Sequence, residues 1–271
     1  MNSVEIKKAA VVGLGNMGGA ILSGIVSGGI LPTEALSGAD KAEACRLKAE
    51  SLGVKAFSEP SEAVGDADLV ILAVKPQSLE ALMAEIGEVK KSAVIVSILA
   101  GKKISTLEGF FGSDAKIVRV MPNTPALVGV GMSGICRNGN VSDGELAKVV
   151  EIFSSFGKAS VVGESLMDIV TGISGSGPAY VYMFIDALIK AGVSGGMDEA
   201  STKLFAAQTV KGAAEMVLRS DVSPEQLKIN VCSPGGTTIE AVKVLEEKGF
   251  EDVVVQAVGA CVEKSKAMGN S

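Results

Sequence analysis

The sequence predicts an α/β protein whose doubly wound parallel sheet, over residues 1–162, gives way to an all-helical segment over residues 163–271. Two observations carry this. In the first part, short β-branched runs alternate with helical patterns, and parallel neighbours need such long crossover connections. In the second part the strand signal stops after Gly163 and five helical patterns follow one another. A chain of 271 residues is long enough to bury a core in each part.

Element by element, residues 9–12 read as a buried strand that runs straight into Gly13. Further strands are expected at 36–37, 69–74, 94–98 and 117–120, with helices at 16–25, 41–52, 77–86 and 104–111 between them. A pair of strands at 131–136 and 160–162 flanks an amphipathic helix at 142–155 and would extend the sheet edge. Helices at 180–191, 198–219, 224–231, 238–247 and 250–268 make up the remainder. Their boundaries have chemical signals: Asp198 and Ser223 as N-caps, and Pro224 at a first helical position. The helix from Asp198 is apolar or small around much of its circumference (Leu204, Phe205, Val210, Ala213, Met216, Val217), so it would be buried on several faces. In a helical segment of this size, that predicts association with a second copy, a homodimer or larger assembly.

Composition excludes several chemistries. The chain has no histidine, hence no His-based triad or His-bound zinc, and no tryptophan. Its four cysteines are widely spaced, which suits reduced thiols in the cytoplasm and no metal site. A net charge of −6 without a basic stripe argues against nucleic acid. Apolar runs are too short for a membrane span, and residues 1–8 lack the apolar stretch of a signal peptide. Chemistry must therefore run on backbone amides, hydroxyls, Lys, Asp/Glu or a cofactor.

Two glycine turns answer that need. Gly13-Leu14-Gly15-Asn16-Met17-Gly18 follows a predicted strand and opens a predicted helix, the context that makes it a dinucleotide turn of Rossmann type. The first glycine makes the tight turn, the second lets the pyrophosphate approach, and the third lets helix and strand pack. Asp40, after the second strand, is placed to bind ribose hydroxyls and would repel a 2′-phosphate, while Lys41 beside it would do the opposite. Asp40 also reads as the N-cap of the next helix, and the two roles are compatible. At the end of the strongest strand, Ala73, Val74 and Lys75 present backbone to the nicotinamide ribose, with Pro76 stiffening the turn. Asn123 and Thr124 end another strand within reach of the nicotinamide, although a turn-forming Asn between two prolines explains them nearly as well. Ser176-Gly177-Pro178 reads as a helix start with close packing.

The second turn, Ser233-Pro234-Gly235-Gly236-Thr237-Thr238, opens a helix where a small carboxylate would find unpaired N–H groups. Gly235 and Gly236 leave room for a close approach, and Thr238 would offer its hydroxyl. Thr237 and Glu240 also have capping-box spacing, the plain structural alternative.

With residues 74–77, Met121-Pro122-Asn123-Thr124-Pro125 and residues 174–180, these turns fall in an order and spacing that resembles the pyrroline-5-carboxylate reductases over most of the chain. The resemblance implies a Rossmann domain, a helical dimerisation domain and hydride transfer from NADPH or NADH to the imine carbon of 1-pyrroline-5-carboxylate, giving L-proline. It implies that Val12, Gly13, Leu14, Gly15, Asn16, Met17, Ala73, Val74, Lys75, Ile98, Ala100 and Asn230 line the cofactor. It places the substrate against Glu164, Gly235, Gly236, Thr237 and Thr238, with Thr238 as the catalytic hydroxyl. One departure is local: Pro60 stands where the family often has an asparagine near the adenine. The alternative is a β-hydroxyacid-type NAD(P)-dependent dehydrogenase, which needs a catalytic lysine on the helical part, but Lys190 and Lys203 lack a glycine-rich frame.

Overall fold

Parallel strands buried on both faces need unbroken apolar runs, and this chain has three of them side by side. The structure, a computed structural model, describes residues 6–269. In it β1 (Ala9–Val12), β4 (Leu69–Leu72) and β5 (Val94–Ser97) have every residue buried. Around them lie β2 (Leu36–Ala39), β3 (Lys55–Phe57), β6 (Lys116–Met121), β7 (Gly131–Arg137) and β8 (Gly157–Val161). The sheet order is β3-β2-β1-β4-β5-β6-β7-β8. Every pair is parallel except β6 with β7.

Strand order reverses between β1 and β4, and in open α/β sheets ligands collect at such a switch point, outside the carboxyl ends of the strands. Alternate residues feed two cores. Val11, Leu69, Ile71, Val94 and Val96 pack with α1 (Asn16–Ser27), α2 (Glu43–Ser51) and, further along the chain, α6 (Asp143–Ser154) through Ile21, Leu22, Ile25, Ala49, Val149 and Phe153. Ala10, Val12, Val70, Leu72 and Ile95 face α3 (Pro60–Val64), α4 (Leu79–Glu85) and α5 (Ile104–Phe111) through Val64, Leu82 and Leu107.

The start of α6 is chemically over-determined. Ser142 and Glu145 form a capping box, with Glu145 N donating to Ser142 Oγ and Ser142 N donating to Glu145 Oε2 at 2.9 Å. Lys116 Nζ, from β6, donates to the other carboxylate oxygen at 2.5 Å. Burial pushes the Glu145 carboxyl up, but the hydrogen bonds from Lys116 and Ser142 outweigh it and hold the group below its ordinary range.

The described residues divide into two compact units, 6–176 with 261–269, and 177–260. Strand signal does end near the expected place, since β8 stops at Val161. The first unit then continues through α7 (Met167–Val170) and a π-helical turn at Thr171–Gly175. The second unit holds α8 (Gly177–Ser194), α9 (Glu199–Arg219), α10 (Pro224–Asn230), α11 (Thr237–Glu247) and the first half of α12 (Phe250–Met268). Asp198 and Ser223 cap α9 and α10 as expected, accepting from Ser201 N and Gln226 N. Gly192 allows α8 to close on α9, because a Cβ there would lie 2.4 Å from Thr202 Cγ2. Within α9 only Thr202 and Ala206 are buried, while Leu204, Phe205 and Met216 stand exposed. Among the described residues no helix is long and apolar enough to cross a membrane.

Sequence boundaries shifted where a strand ran into its loop. The strand expected over 69–74 ends at Leu72, so Ala73 to Lys75 form the exit turn. The helix expected from Lys41 begins at Glu43 with Ala42 as N-cap; Asp40 accepts from Ala42 N at 2.8 Å through Oδ1 without being the cap residue.

Candidate active site

Each glycine of the first turn answers a different steric demand. Gly13 has φ +94, and a Cβ there would lie 2.7 Å from the Ala73 carbonyl oxygen. A Cβ on Gly18 would fall 1.8 Å from the Gly13 carbonyl oxygen. At Gly15 nothing lies within 4 Å of that position. Two glycines therefore let protein pack on protein, and the third faces open space. The helix it opens, α1, has no side-chain cap and no acidic residue in its first turn. Unsatisfied N–H groups with the positive end of the helix dipole make this an anion site, and a dinucleotide pyrophosphate fits it.

The other expected cofactor residues gather on the same sheet edge. Gly13 N donates to Ala39 O, Ala73 N to Val12 O and Ile98 N to Leu72 O, so the exits of β1, β2, β4 and β5 stand in register. Leu14, Asn16 and Met17 continue from the first exit. Val74 lines the adjoining cleft, Lys75 is the exposed N-cap of the Pro76–Ser78 turn, and Ala100 follows Ile98 on the loop after β5. The cleft, of about 280 Å³, is lined by Val12, Gly13, Asp40, Lys41, Ser58, Pro60, Val74 and Glu85, where an adenosine half would lie. Pro60 is buried as the first residue of α3 and contributes only an apolar wall.

Asp40, expected to bind ribose hydroxyls, also braces the fold. Its Oδ2 accepts from Leu14 N at 2.7 Å, so the carboxylate ties the end of β2 to the glycine turn. Sequence reasoning placed Asp40 correctly at the strand end but did not foresee this tie, since it joins residues 26 apart.

Glu164 sits in the short turn Glu164–Leu166, with its carboxylate committed to the protein. Oε1 accepts from Ile104 N at 2.7 Å and lies 3.6 Å from the guanidinium of Arg119, which is buried. Arg119 was missed, although a lone arginine between Val118 and Val120 in a buried strand is a legible signal of a paired charge. Cys136 lies beside this pair, and burial first, then the Glu164 charge, pushes its thiol up to about 11, so it stays protonated at neutral pH. Asn123 braces two loops: Nδ2 donates to Ser174 O and Oγ at 3.2 and 3.3 Å, and Oδ1 accepts from Met132 N at 2.9 Å. Its amide is spent on positioning the 171–176 turn, where Gly175 packs against Met121. Among the described residues nothing lies within 4 Å of a Cβ placed on Gly177, so the close packing expected there is not made by them.

The remaining expected residues belong to the second unit. Asn230 ends α10 and accepts from Gln226 Nε2 at 2.9 Å. Gly235 takes φ +71, a left-handed turn that suits glycine. The N-cap of α11 is Gly236, and Thr237 makes no capping bond, so the Thr237–Glu240 capping box does not form. Glu240 pairs instead with Lys243 Nζ at 2.8 Å. The start of α11 is thus open, with Thr237 and Thr238 exposed in its first turn.

Residues 164–268 match the family model for pyrroline-5-carboxylate reductase dimerisation, and residues 8–101 match that for NADP oxidoreductase, coenzyme F420-dependent. Pyrroline-5-carboxylate reductase of Escherichia coli K12 is 44% identical over 267 residues, covering 98% of this chain and 99% of the relative. The chain belongs to the pyrroline-5-carboxylate reductase family. Among solved structures, the Plasmodium falciparum pyrroline carboxylate reductase with NADP bound is similar with a TM-score of 0.88 and 40% identity, covering 99% of this chain and all of that one. A pyrroline-5-carboxylate reductase from Coxiella burnetii gives 0.89 and 30%, covering 98% and 100%.

Proposed function

We propose that the chain reduces the C=N bond of 1-pyrroline-5-carboxylate to L-proline, the last step of proline biosynthesis, using NADPH or NADH. The likeness to reductases at 44% identity over 98% of the chain carries this reading, because it spans both glycine turns. When bound, the dihydronicotinamide supplies the hydride. The chain's own residues bind and orient. Gly13, Gly15 and the open start of α1 hold the pyrophosphate; Ala73, Val74, Lys75, Ile98 and Ala100 stand where the nicotinamide half would lie. Pro76 fixes the exit from Lys75, and Asn230 is carried over to the cofactor from the family pattern.

At the start of α11, the N–H groups after Gly235 and Gly236 suit the substrate carboxylate, and Thr237 and Thr238 suit the ring. Thr238 Oγ1 holds the hydrogen bond to the imine nitrogen. A basic imine brings its own proton from solvent, which fits a chain without histidine. Glu164 is carried over to the substrate from the family pattern, and in this chain its carboxylate anchors its own loop at Ile104 N. Holding the acceptor carbon and the hydride donor in register is worth ~7–11 kcal/mol of barrier in well-oriented systems. NAD(P)H oxidation at 340 nm with the cyclic imine tests the reading directly; absence of turnover with either coenzyme would refute it. Thr238→Ala is expected to lower kcat/KM about 10- to 100-fold, equivalent to ~1.4–2.8 kcal/mol of transition-state stabilisation. Unchanged kinetics in the folded variant would remove Thr238 from the mechanism.

The second unit fits a homodimer. Met183, Leu204, Phe205 and Val255 are each more than 60% exposed on its helices, too much apolar surface for one small unit to leave in water. Light scattering at micromolar concentration is expected to give at least the dimer mass, and a monomer would sink this arrangement. The four free cysteines suit a reducing cytoplasm, which a fluorescent fusion would check.

A further inference from the structure

The cleft beside Asp40 carries a charge pair with no part in the reading above. Lys41 Nζ donates to Glu85 Oε1 at 2.7 Å, joining the loop after β2 to the last turn of α4. Lys41 is the one cation among the residues that line the cleft. The backbone beneath it is fixed, because Arg46 Nη1 donates to the carbonyls of Asp40 and Lys41 at 2.8 and 2.9 Å. The Lys41 side chain itself is 73% exposed, so it can exchange partners without repacking anything. Glu85 raises the Lys41 pKa, first by the hydrogen bond and then by its charge, so the ammonium is present throughout the neutral range.

In a turn of this kind the residues after the second strand meet the adenosine ribose, where an acid suits a 2′-hydroxyl and a cation accommodates a 2′-phosphate. Asp40 is held there by Leu14 N and Ala42 N and cannot withdraw without breaking both bonds. The adjustable group is Lys41, and Glu85 occupies it. We propose that Glu85 sets the coenzyme balance: its carboxylate competes with a 2′-phosphate for the Lys41 ammonium and tilts the cleft toward NADH. Glu85 also faces the phosphate with like charge. The pair is solvent-exposed and therefore weak, so Glu85 adjusts the preference and does not exclude NADPH.

This proposal rests on the NAD(P)H reading, and nucleotide fragments separate the two without any turnover. Titration calorimetry would measure 2′,5′-ADP and 5′-ADP on the wild type, Glu85→Gln, Lys41→Ala and the double variant. Glu85→Gln is expected to tighten 2′,5′-ADP about five-fold and to leave 5′-ADP within about two-fold of wild type. Lys41→Ala is expected to weaken 2′,5′-ADP and to remove most of the Glu85→Gln gain. If both fragments bind but Glu85→Gln leaves their ratio unchanged, the proposal falls and the nucleotide site stands. If the full gain survives in the double variant, Glu85 acts by repulsion alone and its competition for Lys41 is disproved. Failure of every protein to bind either fragment would overturn the nucleotide site and the proposal together.

Discussion

Gly18→Ala is expected to destabilise the nucleotide-binding unit by about 3 kcal/mol or more, the upper end for overpacking, and to lose the cofactor with it. The added methyl would sit 1.8 Å from the Gly13 carbonyl oxygen, and backbone cannot swing aside as a side chain can. Thermal unfolding should show a drop of several degrees. Gly15→Ala is the informative contrast. Its backbone, φ −63 and ψ −165, lies in the extended region that alanine adopts freely, and nothing lies within 4 Å of the new methyl. Its melting temperature should therefore stay within about 2 °C of wild type, while NAD(P)H binding weakens at least about tenfold because the methyl occupies the pyrophosphate's approach. Equal losses of stability in the two variants would show that the glycines do not divide the work between packing and ligand.

The second large effect lies at the capping box of α6. Glu145→Ala leaves Lys116 facing a buried hole and removes the carboxylate half of the capping box, the bond from Ser142 N, so a loss of about 3–5 kcal/mol is expected, read from urea midpoints. Acid should erase the advantage of the wild type. The folded pKa of Glu145 lies below its unfolded value, so its contribution is complete above the ordinary Glu value of 4.5 and is lost as the pH falls through the lower, folded value. Asp68 behaves in the same sense. Burial raises its carboxyl, but hydrogen bonds from Lys90 Nζ and from the backbone N–H groups of Lys7 and Lys8 outweigh it. The gap between wild type and Glu145→Ala should thus be wide at neutral pH and shrink progressively as the pH falls below the ordinary Glu value. A gap that is constant with pH would mean that the Glu145 charge contributes nothing.

Much of the sheet was legible because parallel strands buried on both faces leave apolar runs, as at Leu69–Leu72 and Val94–Ser97. What escaped was short or half-exposed. The edge strand Lys55–Phe57 has three residues and none buried, and α3 has five, too few to show a helical period. The second glycine turn was read as an open helix start, yet its capping-box alternative failed because Gly236, one residue earlier than Thr237, took the cap position. Spacing cannot tell those two frames apart. Contacts between distant residues are a different matter: Lys41 with Glu85 and Asp40 with Leu14 N are brought together only by the topology, and Arg119 signals a paired charge without naming Glu164 as its partner.

The return of α12 has a consequence for how the polypeptide matures. Its last turns rejoin the unit the chain left at Ser176: Ser265 Oγ donates to Asp168 Oδ1 at 2.6 Å, and Ser176 Oγ lies 3.1 Å from Cys261 Sγ. During vectorial synthesis, all eight strands emerge from the ribosome long before this closing segment does. The nascent sheet can pair early through its local crossovers, but the surface that receives residues 261–269 must wait, bare, until that segment has itself been made.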